Sequence, residues 1–182
     1  MLIQTITIVS ATTPKAALEQ IHIFAGLREE VIEGLAGHCR PLVANAGDLI
    51  VEENLVGREM YLIYRGRVRI VGQLGTESET LFAELGPGDF FGEMCLIECA
   101  RRSASAVALE QSLLYSLGNA DMHWLFKRWP EQFSILMLNI ARDLCRRLRA
   151  MNNFVTNGDP RIRRGAPVRV PFEDLREERL AV

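Results

Sequence analysis

A carboxylate and a guanidinium stand nine positions apart where Phe91-Gly92-Glu93-Met94-Cys95-Leu96-Ile97 is followed by Arg101-Arg102-Ser103-Ala104. Glycine precedes the acid, and a short apolar stretch separates the two charges. This is a compact way to hold a ribose phosphate. The carboxylate accepts a hydrogen bond from a sugar hydroxyl, and the arginine neutralises a phosphate through its forked N–H donors. Backbone N–H groups at a short helix start can receive the same anion.

The segments that must position these groups change character along the chain. From Pro41 to Leu117, short apolar runs rich in β-branched and aromatic residues alternate with turn signals. Strands are expected near 42–44, 48–51, 59–64, 67–71, 80–85, 104–109 and 112–117. The breaks fall at Asn45-Ala46-Gly47-Asp48, Gly66, Gly72 to Gly75, and Gly86-Pro87-Gly88-Asp89. Many short strands at regular spacing predict an antiparallel sandwich or barrel. Strands and helices do not alternate, which argues against a Rossmann or P-loop fold.

Helices flank this region. One is expected over 14–20 with Pro14 in its first turn. Another is expected over 27–38, with Leu27, Val31, Ile32 and Leu35 on one face. After Gly118, Asn119 is the expected N-cap of a helix over 120–128. Pro130 opens a long helix to about 152. Its apolar stripe runs through Phe133, Met137, Ile140, Leu144, Leu148 and Met151 and is widened by Ile135, Leu136 and Leu138. Residues 2–9 suit an edge strand or loose arm. The Gly, Pro and charge blocks of 156–182, with Arg161, Arg163, Arg164 and Arg169 before Glu173-Asp174, suit a flexible tail. The expected division is an arm and helix over 1–20, a domain over 21–155, and the tail.

The chain has 182 residues, a formal charge of −2 and only two lysines, Lys15 and Lys127. That length suits one domain with extensions. The charge gives no global attraction to nucleic acid. Cys39, Cys95, Cys99 and Cys145 lack the neighbours of a zinc site and are expected as reduced thiols. The N-terminus lacks a signal-peptide pattern, and no stretch approaches a membrane span. A cytoplasmic, non-membrane protein is expected.

The run Phe91 to Ile97 with Arg102-Ser103-Ala104 resembles the phosphate-binding cassette of the cyclic nucleotide-binding domain family. The stretches Glu59-Met60-Tyr61-Leu62-Ile63 to Gly66 and Gly86-Pro87-Gly88-Asp89-Phe90 look like the strand pairs that precede it. The resemblance covers about 21–155. It implies a mainly β fold, an antiparallel double-stranded β-roll (jelly roll) with N-terminal helices and two C-terminal helices. It also implies roles. Gly92 lets the backbone approach the sugar phosphate, and Glu93 bonds the ribose 2′-hydroxyl. Met94 and Cys95 belong to the cassette, with the Cys95 backbone near the phosphate. Arg102 pairs with the cyclic phosphate, and Ser103 and Ala104 offer backbone N–H groups. Ile70, Ala83 and Leu85 match the apolar walls around the base. Leu148, Met151 and Asn152 fall where the closing helix meets the base.

Each residue also has a plainer reading. Glu93 suits a helix N-terminal acid. Arg101 is the alternative phosphate ligand, Ser103 a strand start, Cys95 a core side chain. Leu148 reads as ordinary packing, and Met151 and Asn152 as a helix end.

The favoured ligand is cyclic AMP, with cyclic GMP compatible with Ser103; no cofactor, metal or catalytic residue is expected. His22, His38 and His123 lie on expected helices or their flanks, away from the strands a metal-dependent enzyme of similar fold would use. Nucleotide binding is expected to draw the 130–152 helix over the pocket and so switch a protein partner or a second copy. The rival readings are a ligand-free scaffold of the same fold, and a transcription regulator acting without its own helix-turn-helix. For the latter the 156–182 segment is short and broken by Pro160, Pro167 and Pro171.

Overall fold

The computed structural model describes residues 14–98 and 100–156. The expected N-terminal arm, Cys99, and the tail from 157 on, with its arginines, lie outside the described residues. Helix α1 (Pro14–Gln20) leads through a 3-10 turn (His22–Phe24) to α2 (Glu29–His38). Eight strands follow: β1 (Arg40–Ala44), β2 (Leu49–Val51), β3 (Glu59–Arg65), β4 (Val68–Gly72), β5 (Thr80–Leu85), β6 (Phe90–Phe91), β7 (Ser105–Ala108) and β8 (Ser112–Gly118). A short helix α3 (Met94–Glu98) lies between β6 and β7, and α4 (Asn119–Arg128) and α5 (Pro130–Thr156) close the described chain.

The strands form two four-stranded antiparallel sheets, ordered β1-β8-β3-β6 and β2-β7-β4-β5. This is the expected β-roll with flanking helices. Pro41 sits in β1, which is an edge strand, so its missing N–H breaks no interior ladder. The period-2 alternation of β3 and β8 divides the core. Met60, Leu62, Tyr115 and Leu117 face a cluster built with the helices, whereas Ile63 and Leu114 face the interior of the roll. Adjacent Phe90 and Phe91 divide the same way. Ala17 and Leu18 of α1 are fully buried in the helical cluster.

Three local expectations differ from the structure. The 27–38 helix begins at Glu29, because Phe24 to Leu27 form tight turns instead. The N-cap before α4 is Gly118, not Asn119. The Asp121 carboxylate accepts the Gly118 N–H at 2.6 Å, so the cap is satisfied from inside the first turn. Strand β6 and helix α3 are absent from the expected elements, since two and five residues are too few to show a period.

Helix α5 is held to the N-terminal segment by more than its apolar stripe. Asn139 donates to the carbonyls of Ile23 and Ala25, each at 2.9 Å, and Gln132 accepts the Arg28 N–H at 2.8 Å. Leu136 and Ile140 are buried, with Phe133, Met137 and Leu144 packed against the same cluster. The stripe then leaves the body: Leu148 is 58% and Met151 41% exposed, and Leu138 stands outward earlier in the helix.

Candidate functional site

A cavity of about 390 Å³ opens where β6, α3 and the start of β7 meet the inner sheet. That size falls within the roughly 300–1,000 Å³ range of small-molecule sites. Gly92, Glu93, Met94, Cys95, Arg102, Ser103 and Ala104 all line it, as do Ile70, Ala83 and Leu85 on the sheet side. Met151 lines its rim, but Leu148 and Asn152 do not. On a helix, successive residues turn about 100°. Arg147 and Met151, four apart, share the face toward the cavity, and Leu148 and Asn152 lie one step round it, exposed. Of the three α5 residues expected at the base, Met151 alone is among those lining the cavity.

Arg102 is held tightly. Its backbone N–H donates to Leu55 O at 2.8 Å, and its carbonyl accepts from the Asn54 N–H at 2.9 Å. The residue is only 7% exposed, and its guanidinium donates to Gly92 O at 3.1 Å and sits 5.7 Å from the Tyr61 ring centroid. Tyr61 in turn stacks on Phe91. Two glycines leave room for this charge. A Cβ on Gly57 would overlap the guanidinium, and one on Gly92, at φ +80°, would stand 2.5 Å from it. Among the described residues no carboxylate forms an ion pair with Arg102. A buried cation whose direct contacts are a carbonyl and an aromatic face, with the Glu93 charge acting on it without an ion pair, favours an anion in the cavity. Arg101 is exposed and donates instead to Asn54 O at 2.7 Å.

Glu93 is 4% exposed. Burial pushes its carboxyl above the ordinary 4.5, and the nearby Arg147 charge only partly offsets this. Arg147 Nη1 lies 3.4 Å from Glu93 Oε1, and its Nη2 donates to Phe90 O at 3.0 Å. Arg147 is not legible in the sequence as a site residue, because these partners lie more than fifty positions away. The one local signal is Asp143, four residues before it on the same helical face. Phe82, Val51, Ser105 and Ala106 also line the cavity, beyond the expected residues. Ser105 Oγ is engaged by the Glu53 N–H at 3.0 Å. Ser103 is exposed, its hydroxyl 3.7 Å from Met94 sulfur. The Cys95 side chain is 2% exposed, so a core role and a place in the cavity wall hold together.

The arrangement offers two guanidinium groups, Arg102 and Arg147, and one carboxylate, Glu93, in the lining of a largely apolar hollow. It can take a flat apolar ring deep against the sheet, with an anion at Arg102 and a hydroxyl donor at Glu93.

Residues 41–128 match the family model described as the cyclic nucleotide-binding domain. The chain is 37% identical over 128 residues to the cyclic AMP receptor protein of Thermus thermophilus, covering 70% of this chain and 57% of that one. It is 34% identical over 125 residues to a cyclic nucleotide-gated cation channel protein of Drosophila melanogaster, covering 65% of this chain and 18% of that one. The crystal structure of the Thermus thermophilus catabolite activator protein superposes with a TM-score of 0.64 at 34% identity, over 74% of this chain and 61% of that one. The chain thus spans just over half the length of the first curated relative and less than a fifth of the second.

Proposed function

Residues 41–128 belong to the cyclic nucleotide-binding domain family, and from that membership we propose that this chain is a cyclic nucleotide sensor whose nucleotide-free and bound forms differ in the seating of α5. The observation that carries the reading is the buried Arg102 guanidinium, facing the cavity without a carboxylate partner among the described residues. In the proposed complex Arg102 pairs with the cyclic phosphate, and Ser103 and Ala104 supply backbone donors beside it. Gly92 allows the sugar phosphate to approach, with Met94 and Cys95 walling the cassette. Glu93 accepts from the ribose 2′-hydroxyl. Ile70, Ala83 and Leu85 cover the base, and Met151 caps it. Cyclic AMP is the favoured nucleotide, because the walls offer the base mainly apolar contact. The chain acts as a regulator, not an enzyme, in the cytoplasm.

The readout in this proposal is the outer half of α5. Leu138 and Leu148 are exposed apolar side chains on a helix whose Met151 already reaches the cavity rim. A ligand shifts a conformational equilibrium only as far as it binds the two states differently. Contact of Met151 with the base would supply that difference, and a partner protein or second copy would read the position of Leu148. Calorimetric titration of the purified chain with cyclic AMP and cyclic GMP, followed by hydrogen exchange over α5, tests both parts. Selective binding with altered protection beyond Asp143 is expected. Absence of binding by either nucleotide would favour a ligand-free scaffold, and binding with identical protection would remove the switch.

Nucleotide affinity should also depend on pH. The ionised Glu93 is the better acceptor for a hydroxyl, yet burial raises the carboxyl of the free protein above 4.5. A raised carboxyl holds its proton to higher pH when folded, so binding that favours the ionised form releases a proton. Affinity should therefore rise with pH from the ordinary carboxylate range and level off once Glu93 is ionised. Titrations in buffers of different ionisation heat would detect the released proton, and an affinity that falls with pH over this range would contradict the assignment.

A further inference from the structure

Five charged or titratable side chains run from the N-terminal segment through α5 to Glu93. His22 Nε2 lies 2.8 Å from Asp143 Oδ1. Asp143 is fully buried, and its other oxygen meets Arg147 Nε at 2.6 Å. Arg146 reaches Oδ1 at 3.3 Å. Arg147 then turns its remaining edge to Glu93 and Phe90 O, as above, with its guanidinium carbon 4.6 Å from the Phe90 ring centroid.

We infer that Asp143 is a positioning residue for the ribose end of the pocket, holding the Arg147 guanidinium against Glu93, while His22 ties that carboxylate to the 3-10 turn. The inference rests on the proposed nucleotide site and adds a residue outside the cavity to it. Arginine has several rotatable bonds, and a half-exposed helix end would let it swing into water. Capture of Nε by a carboxylate one turn earlier leaves Nη1 directed at Glu93. Glu93 needs that neighbour, because burial alone drives it toward its neutral form, a weaker acceptor for a hydroxyl. Burial works against ionisation of Asp143 too, but the His22 hydrogen bond and the Arg147 charge outweigh it and hold the carboxyl well below the ordinary range. Asp143 therefore remains a fixed anion. A purely structural role, a buried acid held by His22, Arg146 and Arg147, predicts something different: its loss would weaken the fold and all ligands alike.

The discriminating quantity is the ratio of Kd values for 2′-deoxy-cyclic AMP and cyclic AMP. The native chain should prefer the ribonucleotide. Asp143→Asn, which keeps the shape and removes the charge, should lower that preference about tenfold, the scale of one charge-assisted hydrogen bond. Equal weakening of both nucleotides with an unchanged ratio overturns the inference and leaves the nucleotide site standing. Failure of the native chain to bind either nucleotide overturns the site itself, and the inference with it. A second measurement does not depend on folding of the variant. In the native protein the Arg147 Nε–H should exchange slowly with water by nitrogen-15 NMR, and free exchange there also overturns the inference.

Discussion

Arg102→Ala is expected to weaken cyclic nucleotide binding at least about a hundredfold. Hydrogen bonds to charged groups contribute about 1.5–3 kcal/mol each, and a forked pair on a phosphate reaches ~3 kcal/mol, which is about a hundredfold in Kd. Two features keep this loss from being replaced by water or by a neighbouring side chain. The guanidinium is nearly buried between Gly57 and Gly92, and Arg101, one residue away, is directed at Asn54 O. Arg101→Ala should accordingly leave binding near the native value. Arg102→Lys should recover only part of the affinity, because an ammonium restores charge without the planar fork. Calorimetry on the three variants reads all of this. A native Kd in Arg102→Ala would refute the phosphate assignment.

Gly66→Ala is expected to be the most destabilising small substitution, by about 3 kcal/mol. Gly66 links β3 to β4 at φ +87°, where a side chain is strained by about 1–3 kcal/mol. An added Cβ would also stand 2.6 Å from Ser112 Cα, which belongs to the backbone of β8 and cannot swing aside. Overpacking of that kind costs a further 1–3 kcal/mol. For a chain of this length the sum corresponds to a fall in Tm of roughly 6–12 °C. Gly75→Ala is the control: Gly75 also has positive φ, +77°, but its Cβ would meet nothing within 4 Å. It should show the strain alone, at about a third to a half of the loss. Equal losses in the two variants, measured by thermal unfolding, would refute the steric part of the argument.

The β-roll is legible in the sequence because its signals are local. Met60, Leu62 and Tyr64 alternate with Tyr61 and Ile63, and glycine-rich turns separate each run. That alternation announces a strand covered on both faces, but not which core each face enters. The division of Phe90 and Phe91 between the helical cluster and the roll interior follows from the docking of α1, α2 and α5. Capping at Gly118 escapes the sequence for a related reason. Asn119 has a capping side chain, but the Asp121 carboxylate, also bound by Arg40 at 2.8 Å, accepts the Gly118 N–H.

The cassette from Gly92 to Ala104 was determined by the chain itself. Its glycine, acid, apolar turn and arginine lie close in sequence and line one wall of the cavity, with Arg102 fixed there by its backbone bonds to Asn54 and Leu55. The far wall was decided only by tertiary structure. Whether Arg147 and Met151, or Leu148 and Asn152, face the cavity is a choice between helix faces about 100° apart. Composition and spacing are nearly indifferent to that phase. The contacts of α5 with Ile23, Ala25, Arg28 and His22 select it, and those partners lie more than a hundred residues away along the chain.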